Sequence, residues 1–551
     1  AAALQVLAAA ALATGLAGFL DWRATAHRAL LLAVSTALGL RYLHWRVTET
    51  LPAADAWASY AFFALEAMAF LSAVSAAVLM ARHRDRGAEA DAGEGWWGTA
   101  PPRVAVLVAT YNEDAEVLER TLVGAAAIDY PAFEVWLLDD GNRPEMARLA
   151  RRHGARHVTR PDNAHAKAGN INHALALMRA EGAPPDFVAV LDADFVAHDG
   201  FLLRALALFR EADVALVQTP QHFFNPDPIQ HNLGLSAALP DEQRFFFEHI
   251  QPARDGWGLA ICCGTSSVAR WEALEAIGFM PTDSVTEDFL LTLALAERGW
   301  RTVYLNEPLT EGLAPEGLAE YVTQRARWCL GLMQIARGRL GPLGRNGLSL
   351  AQRWSVVDSV LYWAFTYPFR IVALIAPVLY WYANLLVVDA DVPGVLSHFG
   401  VWFVWSMIAT HFLARGAQLP FVTEVSALVA ALPITASAWS GLLSPGGRAF
   451  KVTDKGGDRS RRVVQWRLMA PFLALFVLTA GGLLIGVFWD RFAHWDAGDG
   501  KAVILFWSVW NLLLLGLAIR VCIEEPRRER HLNDPPRRGR AVFGRERIPV
   551  R

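Results

Sequence analysis

Long apolar runs at both ends of the chain constrain its fold more than any other feature. They occupy residues 4–20, 29–40, 57–80, 371–388, 399–414, 425–445, 468–489 and 502–519. A helix needs about 20 apolar residues to cross a bilayer, with about 17 as a lower limit. Charged residues make up 19% of the chain, against about 25% in soluble proteins. The sequence therefore predicts membrane helices on both sides of a polar middle region.

Basic residues between the runs predict the topology, because loops rich in Lys and Arg stay in the cytoplasm. The segments 446–467 and 524–551 are basic, whereas 389–398 contains no Lys or Arg. Both placements hold if the run 425–445 lies along the cytoplasmic surface instead of crossing. We therefore predict seven spans, three before the middle region and four after it. The N-terminus is then outside and the C-terminus is cytoplasmic.

This division predicts four regions along the chain. They are transmembrane helices at 1–86, a cytoplasmic α/β domain at 87–350 ending in an interfacial helix, transmembrane helices at 351–523, and a basic tail at 524–551. The formal net charge of −3 gives no global sign of nucleic-acid binding. The four cysteines lack Cys-x-x-Cys spacing, so a structural zinc site is not expected.

Short apolar strands in the middle region end in polar clusters. Three such strands are predicted at 103–109, 133–138 and 187–191, with helical patterns between them. This alternation predicts a mostly parallel sheet with helices on both faces. Ligands bind beyond the carboxyl ends of the strands in such sheets, so the clusters are expected to form one site. Their polar members are Thr110, Glu113, Asp139, Asp140, Asp192 and Asp194.

The pair Asp192 and Asp194 predicts a site for a hard metal ion. Alternate carboxylates after a buried strand can hold Mg²⁺ or Mn²⁺ together with the phosphates of a nucleotide diphosphate. Such an ion stabilises the charge on a leaving diphosphate. The alternative interpretation is a loop whose acids are solvated or cap the next helix.

Two further motifs are candidates for chemistry. In 285–288, Glu287 or Asp288 can take a proton from an acceptor hydroxyl, although acids at a helix start are also stabilising for structural reasons. In 324–328, an arginine can pair with a diphosphate and Trp328 offers a flat face to a sugar. The alternative for 324–328 is an amphipathic helix at the membrane surface.

Together these motifs resemble the signature of processive family 2 glycosyltransferases. The resemblance is longest to bacterial cellulose synthase catalytic subunits and covers nearly the whole chain in order. It includes RYLHWR at 41–46, TETLP at 48–52, HAKAGN at 165–170, VQTP at 217–220, FNPDP at 224–228, CGT at 263–265 and FKVT at 450–453. The resemblance implies a GT-A domain of the kind that binds nucleotide sugars, inserted in a membrane domain.

The resemblance also implies roles for individual residues. Donor binding falls to Thr110, Glu113, Asp139, Asp140, Lys167, Asp192, Gln324 and Arg327, and metal binding to Asp192 and Asp194. Asp288 would be the general base beside Glu287, and Trp328, Cys263 and Gly264 would meet the acceptor sugar. Phe450, Val452 and Thr453 would form a gating loop.

The implied activity is polymerisation of glucose from UDP-glucose, with Mg²⁺ or Mn²⁺, into a linear β-glucan. The growing glucan would leave through the protein's own membrane helices, in the inner membrane of a bacterium. Accessory export subunits are possible partners, and no nucleic acid is expected.

Two departures from the cellulose synthases lead us to expect the curdlan type, which makes β-1,3-glucan. The motifs of a C-terminal PilZ domain, which binds cyclic di-GMP, do not occur together. Seven predicted spans also differ from the usual eight. Cellulose synthesis is the alternative, since a shortened chain would show both departures.

A transporter or receptor is a more distant alternative. Seven spans fit it, with Glu66 or His411 as a proton or ligand site within the membrane. A central α/β domain with carboxylates suited to a metal is foreign to that class.

Overall fold

A computed structural model describes residues 1–417, 419–446, 459–488 and 500–527. Its helices are α1 (Ala2–Phe19), α2 (Thr25–Glu49), α3 (Ala56–Met80), α4 (Gly87–Gly93), α5 (Ala115–Ala126), α6 (Pro144–Arg152), α7 (Ala166–Ala180), α8 (Phe201–Ala207), α9 (Pro228–Asn232), α10 (Gln251–Gly256), α11 (Trp271–Ala276), α12 (Glu287–Glu297), α13 (Leu318–Arg337), α14 (Leu350–Leu361), α15 (Tyr367–Ala383), α16 (Val392–Val395), α17 (Val401–Leu413), α18 (Pro420–Leu443), α19 (Trp466–Phe488) and α20 (Gly500–Val521). Its strands are β1 (Val104–Thr110), β2 (Phe133–Asp139), β3 (Arg156–Val158), β4 (Phe187–Asp192), β5 (Val196–Ala197), β6 (Val214–Gln218), β7 (His222–Phe223), β8 (Ser267–Arg270), β9 (Arg301–Tyr304), β10 (Thr310–Gly312), β11 (Val463–Val464) and β12 (Ile523–Glu524). Turns of π-helix occupy Phe246–Ile250, Tyr362–Thr366 and Leu396–Gly400.

A seven-stranded sheet with the order β3-β2-β1-β4-β8-β6-β9 forms the centre of the α/β domain. Strand β8 is antiparallel to β4 and β6, and every other pair of neighbours is parallel. A smaller sheet, β5-β10-β7, lies beside it. The predicted mostly parallel sheet is confirmed.

The sheet is buried on both faces, because successive residues of a strand point to opposite sides. On one face, Val106 and Val108 of β1 belong to a core cluster with Leu122 of α5. On the other face, Leu107 belongs to a second cluster with Leu175 of α7. All five side chains are fully buried, and each contributes about 1.5–3 kcal/mol by leaving water. This packing fixes the strand ends from which the site is built.

Within the described ranges, seven helical segments are long and apolar enough to cross a membrane. They are Ala2–Phe19, Ala56–Met80, Leu350–Ala383, Val392–Leu413, Phe421–Leu443, Trp466–Gly486 and Gly500–Val521. The number agrees with the sequence prediction, but the membership differs at two helices.

The first difference is α2, which was predicted as a span and is not among the seven segments. It is 25 residues long, but it carries Arg28, Arg41 and Arg46, which lower its mean hydropathy. Arg46 is 1% exposed and pairs with Glu66 of α3 at 2.9 Å. The polar residues of α2 are therefore satisfied partly by neighbouring helices.

The second difference is α18, which holds most of the run predicted to lie along the surface. Its length and composition also allow a crossing, so the surface position stays a prediction. Helix α18 packs against α13, the last helix of the α/β domain, and against α15 and α20. It therefore joins the α/β domain to the membrane helices.

The segment Leu350–Ala383 is longer than the predicted run, which began at residue 371. Its first half is polar on one side, so this part of the sequence contains no long apolar run. Asp358 there accepts a hydrogen bond from Ser75 of α3 at 2.6 Å and lies 3.6 Å from Arg254 of α10. The polar side thus contacts the α/β domain and α3 instead of lipid.

Candidate active site

The polar ends of three neighbouring strands meet at one edge of the large sheet. Thr110 of β1 is in register with Asp139 of β2. Ala109 of β1 is in register with Asp192 of β4. The predicted clustering at this edge is therefore present, and it places the β2 and β4 aspartates on either side of β1.

The first part of the site is the turn after β1. Glu113 accepts hydrogen bonds from the Thr110 hydroxyl at 2.7 Å and from the Tyr111 backbone N–H at 2.8 Å. Arg143 donates to the Thr110 hydroxyl at 2.8 Å and to the Glu113 carbonyl at 2.6 Å. Thr110 and Glu113 are thus brought together as predicted, and Arg143 holds them.

The adjacent aspartates of β2 have different environments. Asp139 is fully buried and accepts from the backbone N–H groups of Gly141 (3.1 Å) and Arg143 (2.7 Å). Asp139 therefore supports the turn, and its predicted donor contact stays a prediction. Asp140 faces a cavity and accepts two hydrogen bonds from the Arg160 guanidinium, at 2.6 and 2.8 Å.

The cavity beside Asp140 is open and polar, with a volume of about 430 Å³. Its lining comes from three loops and consists of Tyr111, Asn112, Asp140, Gly141, Asn142, Pro161, Asp162 and Asn163. Gly141 allows two of these loops to touch, because a Cβ there would lie 2.3 Å from the Tyr111 carbonyl oxygen. Amide, carboxylate and aromatic groups around such a space suit a nucleoside.

Sequence reasoning missed Arg143 and Arg160. Each is an isolated arginine in a loop and lies outside the motifs described in the sequence analysis. The available signal was position, because Arg143 follows the β2 carboxylates by a few residues and Arg160 follows β3. An aspartate held nearly out of water needs such a partner.

Lys167 lies at the start of α7, next to the β4 carboxylates. Its ammonium pairs with Asp192 and donates to the Gly264 carbonyl at 2.6 Å. Burial lowers the pKa of Lys167, but the carboxylates of Asp192, Glu287 and Asp288 raise it more, so the net direction is upward. Lys167 is therefore a fixed positive charge between the strand end and the 263–265 loop.

Asp192 and Asp194 fit a divalent cation by the chemistry of their oxygens. Asp192 is partly exposed at the end of β4, whereas Asp194 is 3% exposed and accepts from the Leu313 N–H at 3.3 Å. No group of three or more His, Cys, Asp or Glu side chains suited to a metal occurs within the described ranges. The remaining ligands would then have to come from the substrate phosphates and water.

The loop 263–265 separates Lys167 from Asp288. Gly264 has a left-handed backbone (φ 85°), and a Cβ there would lie 3.1 Å from Oδ2 of Asp288. Gln218, fully buried at the end of β6, accepts from the Cys263 N–H at 2.7 Å and donates to the carbonyls of Thr265 and Thr219, both at 2.8 Å. Gln218 thus positions the 263–265 loop, which lies between Lys167 and Asp288.

Asp288 lies in the first turn of α12, and its Oδ1 accepts from the Phe289 N–H at 2.8 Å. Burial and the neighbouring Glu287 carboxylate raise the pKa of Asp288 to about 7, against the opposing effects of Lys167 and Arg327. A carboxyl group that titrates near neutral pH is suited to accept a proton. The raised pKa of Asp288 therefore fits its predicted role as general base, which stays a prediction.

Helix α13, which carries the 324–328 motif, packs against α12, which carries Asp288. Gly331 allows the approach, because a Cβ there would lie 2.3 Å from the Thr286 hydroxyl oxygen. The Ser284 hydroxyl also donates to the Gly331 carbonyl at 2.9 Å. The predicted residues Gln324, Arg327 and Trp328 lie on this helix.

Arg325, within the same motif, has a structural role. It forms an ion pair with Glu242, and its guanidinium carbon lies 4.4 Å from the centre of the Trp328 ring. This contact fixes the indole that was predicted to meet the acceptor sugar. The predicted gating residues Phe450, Val452 and Thr453 lie outside the described residues.

Taken together, the sheet, its edge of carboxylates and the lysine beside them form a site suited to a phosphate-bearing ligand and a cation. The model of the family "Glycosyltransferase like family 2" matches residues 101–331, and that of "Cellulose synthase" matches residues 249–416. The chain therefore carries a family 2 glycosyltransferase domain with the GT-A fold. A cellulose synthase domain overlaps its end and continues into the helices that follow.

Curated relatives agree with this placement. The chain is 34% identical over 506 residues to the Cellulose synthase 1 catalytic subunit [UDP-forming] of Komagataeibacter xylinus, covering 89% of this chain and 65% of the relative. It is 32% identical over 503 residues to the cellulose synthase catalytic subunit of Pseudomonas fluorescens, covering 90% and 66%. The chain thus spans somewhat less than two thirds of the length of these relatives.

Solved structures are more distant. A mannosyltransferase from Pyrobaculum calidifontis, in complex with GDP-Man and Mn²⁺, is 19% identical with a TM-score of 0.44, covering 69% of this chain and 99% of that chain. Glucosyl-3-phosphoglycerate synthase from Mycobacterium tuberculosis is 18% identical with a TM-score of 0.31, covering 45% and 82%. At these scores the likeness adds nothing to the topology described above.

The relatives favour the cellulose synthase alternative over our expectation of a β-1,3-glucan synthase. That expectation depended on the missing PilZ motifs and on the number of spans. Both depend on where the chain begins and ends, and the chain covers only part of its relatives. The glycosyltransferase domain also gives the transporter or receptor alternative no support.

Proposed function

We propose that the protein transfers glucose from UDP-glucose to the end of a growing β-1,4-glucan and passes the polymer through its membrane helices. The observation that carries the proposal is the arrangement of Lys167, the 263–265 loop and Asp288. A fixed positive charge on one side of the loop and a proton acceptor on the other are what an inverting sugar transfer needs. The proposal rests on this geometry and on homology to UDP-forming cellulose synthases.

The donor would lie across the edge of the sheet. The uridine occupies the polar cavity beside Asp140, where Tyr111 and Asn112 also lie. The diphosphate then extends toward Lys167, whose ammonium can pair with it. A divalent cation held by Asp192 and Asp194 would supply charge stabilisation to the leaving UDP. Arg327 of α13 lies near enough to Asp288 to lower its pKa, and we assign Gln324 and Arg327 to the diphosphate as well.

The acceptor would meet the donor at Asp288. The acceptor hydroxyl gives its proton to Oδ2 of Asp288 while its oxygen attacks the anomeric carbon from the face opposite UDP. This single displacement converts an α-linked donor into a β-linked product. Trp328 would stack on the acceptor ring, and Cys263 and Gly264 would form the wall beside it. Burial keeps the pKa of Asp288 near the working pH, as general-base catalysis favours.

The membrane helices adjoin the acceptor helix directly. Cys329, one residue after Trp328, donates to the Ile434 carbonyl of α18 at 3.6 Å, and α14 also packs on α13. A polymer that leaves Trp328 therefore enters the helices that follow the catalytic domain. This contact supports polymer export by the same chain.

The linkage of the product is the first test. Purified protein in nanodiscs with UDP-glucose and Mg²⁺ is expected to make a polymer that an endo-β-1,4-glucanase degrades and an endo-β-1,3-glucanase leaves intact. UDP-N-acetylglucosamine and GDP-mannose serve as control donors. Degradation by the β-1,3 enzyme alone would restore the curdlan assignment. Polymer from a control donor but not from UDP-glucose would overturn the proposed substrate.

Gln218 is expected to be a positioning residue for this reaction. In Gln218→Leu, the loop 263–265 loses its hydrogen bonds, each worth about 1 kcal/mol or more when its partner is left buried. We expect turnover to fall by about ten-fold or more. Loosening the loop also admits water to Asp288, so the midpoint of the pH–rate profile should move down, toward that of an ordinary aspartate.

Gln230→Leu is the matched control for Gln218. Gln230 is also buried, donates to the Leu239 carbonyl at 2.7 Å and accepts from the Asp227 N–H at 3.0 Å. Both variants should lose stability, but only Gln218→Leu should move the pH midpoint. An unmoved midpoint in Gln218→Leu would reduce Gln218 to a structural residue.

A further inference from the structure

A cluster of arginines without carboxylate partners lies where the ends of four membrane-side helices meet the α/β domain. We call it the Trp22 junction, and it consists of Trp22, Arg23, Arg28, His83, His249 and Arg415. Trp22 and Arg23 lie between α1 and α2, His83 follows α3, Arg415 follows α17, and His249 lies in a π-helical turn of the α/β domain. None of these residues takes part in the site described above.

Trp22 is the centre of the junction. The guanidinium carbons of Arg23 and Arg415 lie 5.1 and 5.0 Å from the centre of its ring. The His83 ring meets it edge-on at 5.2 Å. Arg23 and Arg415 are both exposed, so two positive charges stand at the surface beside one indole, no more than about 10 Å apart by these distances.

Arg28 lies beneath them and is fully buried. Its Nε donates to the Met80 carbonyl at 2.7 Å and its Nη1 to the Trp22 carbonyl at 2.9 Å. Its Nη2 is buried and has no hydrogen-bond partner among the described residues. A buried charge is costly unless it is paired, and Arg28 has only backbone carbonyls.

Helix α2 also carries a buried arginine that does form an ion pair. Arg46 of α2 is equally buried, but its Nε lies 2.9 Å from Oε2 of Glu66. In the described part of the chain, no carboxylate lies within 4.0 Å of a guanidinium nitrogen of Arg23, Arg28 or Arg415. Among the described residues, these three guanidiniums therefore have no ion-pair partner, although Asp21 accepts from the Arg23 backbone N–H at 2.9 Å.

Two histidines at the junction have lowered pKa values, first because they are buried and then because positive charges lie nearby. Burial, Arg28 and Arg23 lower the pKa of His83 to about 4, against the opposing effect of Asp85. Burial, His83, Arg28 and Arg415 lower the pKa of His249 to about 4 as well. Nε2 of His83 and Nδ1 of His249 are also buried without a partner among the described residues. Both histidines are therefore expected to be uncharged near neutral pH, so the guanidiniums supply the positive charge of the junction.

We propose that the Trp22 junction binds the phosphate headgroup of an anionic phospholipid. The phosphate would lie between the exposed guanidiniums of Arg23 and Arg415, with the charge of Arg28 behind it. A lipid fits better than free phosphate because apolar surface adjoins the charges. Phe19, at the end of α1, is 90% exposed and Leu12 is 58% exposed. Tryptophan beside such surface is typical of the headgroup level of a bilayer.

Lipid retention by the full chain tests the proposal. The protein is reconstituted in nanodiscs of phosphatidylcholine with 20% phosphatidylglycerol, and the lipids that remain bound after detergent extraction are quantified by mass spectrometry. Phosphatidylglycerol is expected to be enriched on the wild-type protein. In Arg23→Gln/Arg415→Gln, its affinity should fall by about five-fold per arginine, or roughly thirty-fold in total.

Arg337→Gln/Arg345→Gln is the matched control, because both residues are exposed arginines outside the junction, at the end of α13 and in the loop before α14. It should retain phosphatidylglycerol. A second measurement compares the melting temperature of wild-type protein with dioctanoyl-phosphatidylglycerol and with inorganic phosphate. Stabilisation by the lipid alone supports the proposal, and equal stabilisation by phosphate would assign the site to a free anion. No enrichment, or equal loss in both double variants, would overturn it.

Discussion

Asp288→Asn is expected to abolish polymer synthesis while UDP binding survives. The side chain keeps its size, and its amide oxygen can still accept from the Phe289 N–H, which now bonds Oδ1 at 2.8 Å. What it loses is the ability to take a proton from the acceptor hydroxyl. Loss of a general base typically costs about 10²–10⁴-fold in rate. The measurement is incorporation of radiolabelled glucose by purified protein, with UDP affinity determined by titration.

Asp283→Asn is the control for this variant. Asp283 is exposed and lies five residues before Asp288, so it samples the same segment without facing the base. It should retain wild-type synthesis. Near-normal synthesis by Asp288→Asn would show that another group accepts the proton, and Glu287 would be the first residue to examine.

The pH dependence of Asp288 gives two further readouts of the same prediction. Because its pKa is raised to about 7, synthesis should rise as pH increases through about 7. Between its ordinary pKa near 3.9 and 7, the folded state binds a proton that the unfolded state has lost. Stability therefore falls as pH rises through this window, and the cost is fully present above 7. Asp288→Asn should consequently melt higher than wild type at pH 8, and the difference should shrink toward pH 4.

Asp194→Asn is expected to remove the gain in donor affinity that a divalent cation provides. Asp194 is 3% exposed, and its Oδ2 accepts from the Leu313 N–H at 3.3 Å. Asparagine retains that acceptor but loses the negative charge that a hard cation requires. Without the cation, the charge of the leaving UDP is less stabilised, so we expect synthesis to fall by about 10²-fold or more, a few kcal/mol of charge stabilisation. UDP is titrated with and without Mg²⁺ and Mn²⁺.

Asp199→Asn is the matched control for the metal prediction. Asp199 is exposed, lies five residues after Asp194 and accepts from the Gly200 N–H at 2.8 Å. It should keep the full metal-dependent gain. An undiminished gain in Asp194→Asn would mean that the cation is held elsewhere.

Much of the site could be predicted because the ends of the strands are recognisable in the sequence. Each predicted strand is a short apolar run that stops at a polar residue, and parallel strands bring such residues to one edge. Thr110, Asp139 and Asp192 were located in this way, and the strand register confirms their adjacency. Glu113 and Lys167 followed from the motifs around them.

The sequence did not show which way each side chain points or which distant residues it contacts. Asp139 and Asp140 are neighbours in the chain, but only Asp140 lines the cavity, because successive residues point to opposite sides. Arg143, Arg160 and Gln218 act through contacts with residues distant in sequence, which no local pattern records.

The predicted spans and the candidate membrane helices differ at α2 and α18 for a related reason. Apolar length and loop charge were the basis of the prediction, and neither shows whether a helix satisfies its charges against neighbouring helices. The pair formed by Arg46 of α2 and Glu66 of α3 is an example, because it depends on how the two helices pack.

The packing of α18 on α13 limits the substitutions that this protein can accept during evolution. Gly441 of α18 lies so close to α13 that a Cβ would come within 2.7 Å of the Met333 Cβ, and Gln334 donates to the Pro445 carbonyl at 3.0 Å. The catalytic unit is therefore not a detachable module that could be grafted onto a foreign anchor. A bulkier residue at position 441 would need a smaller one at 333, so the two helices must coevolve. Chimaeras joined between them should fail even where both parents are active.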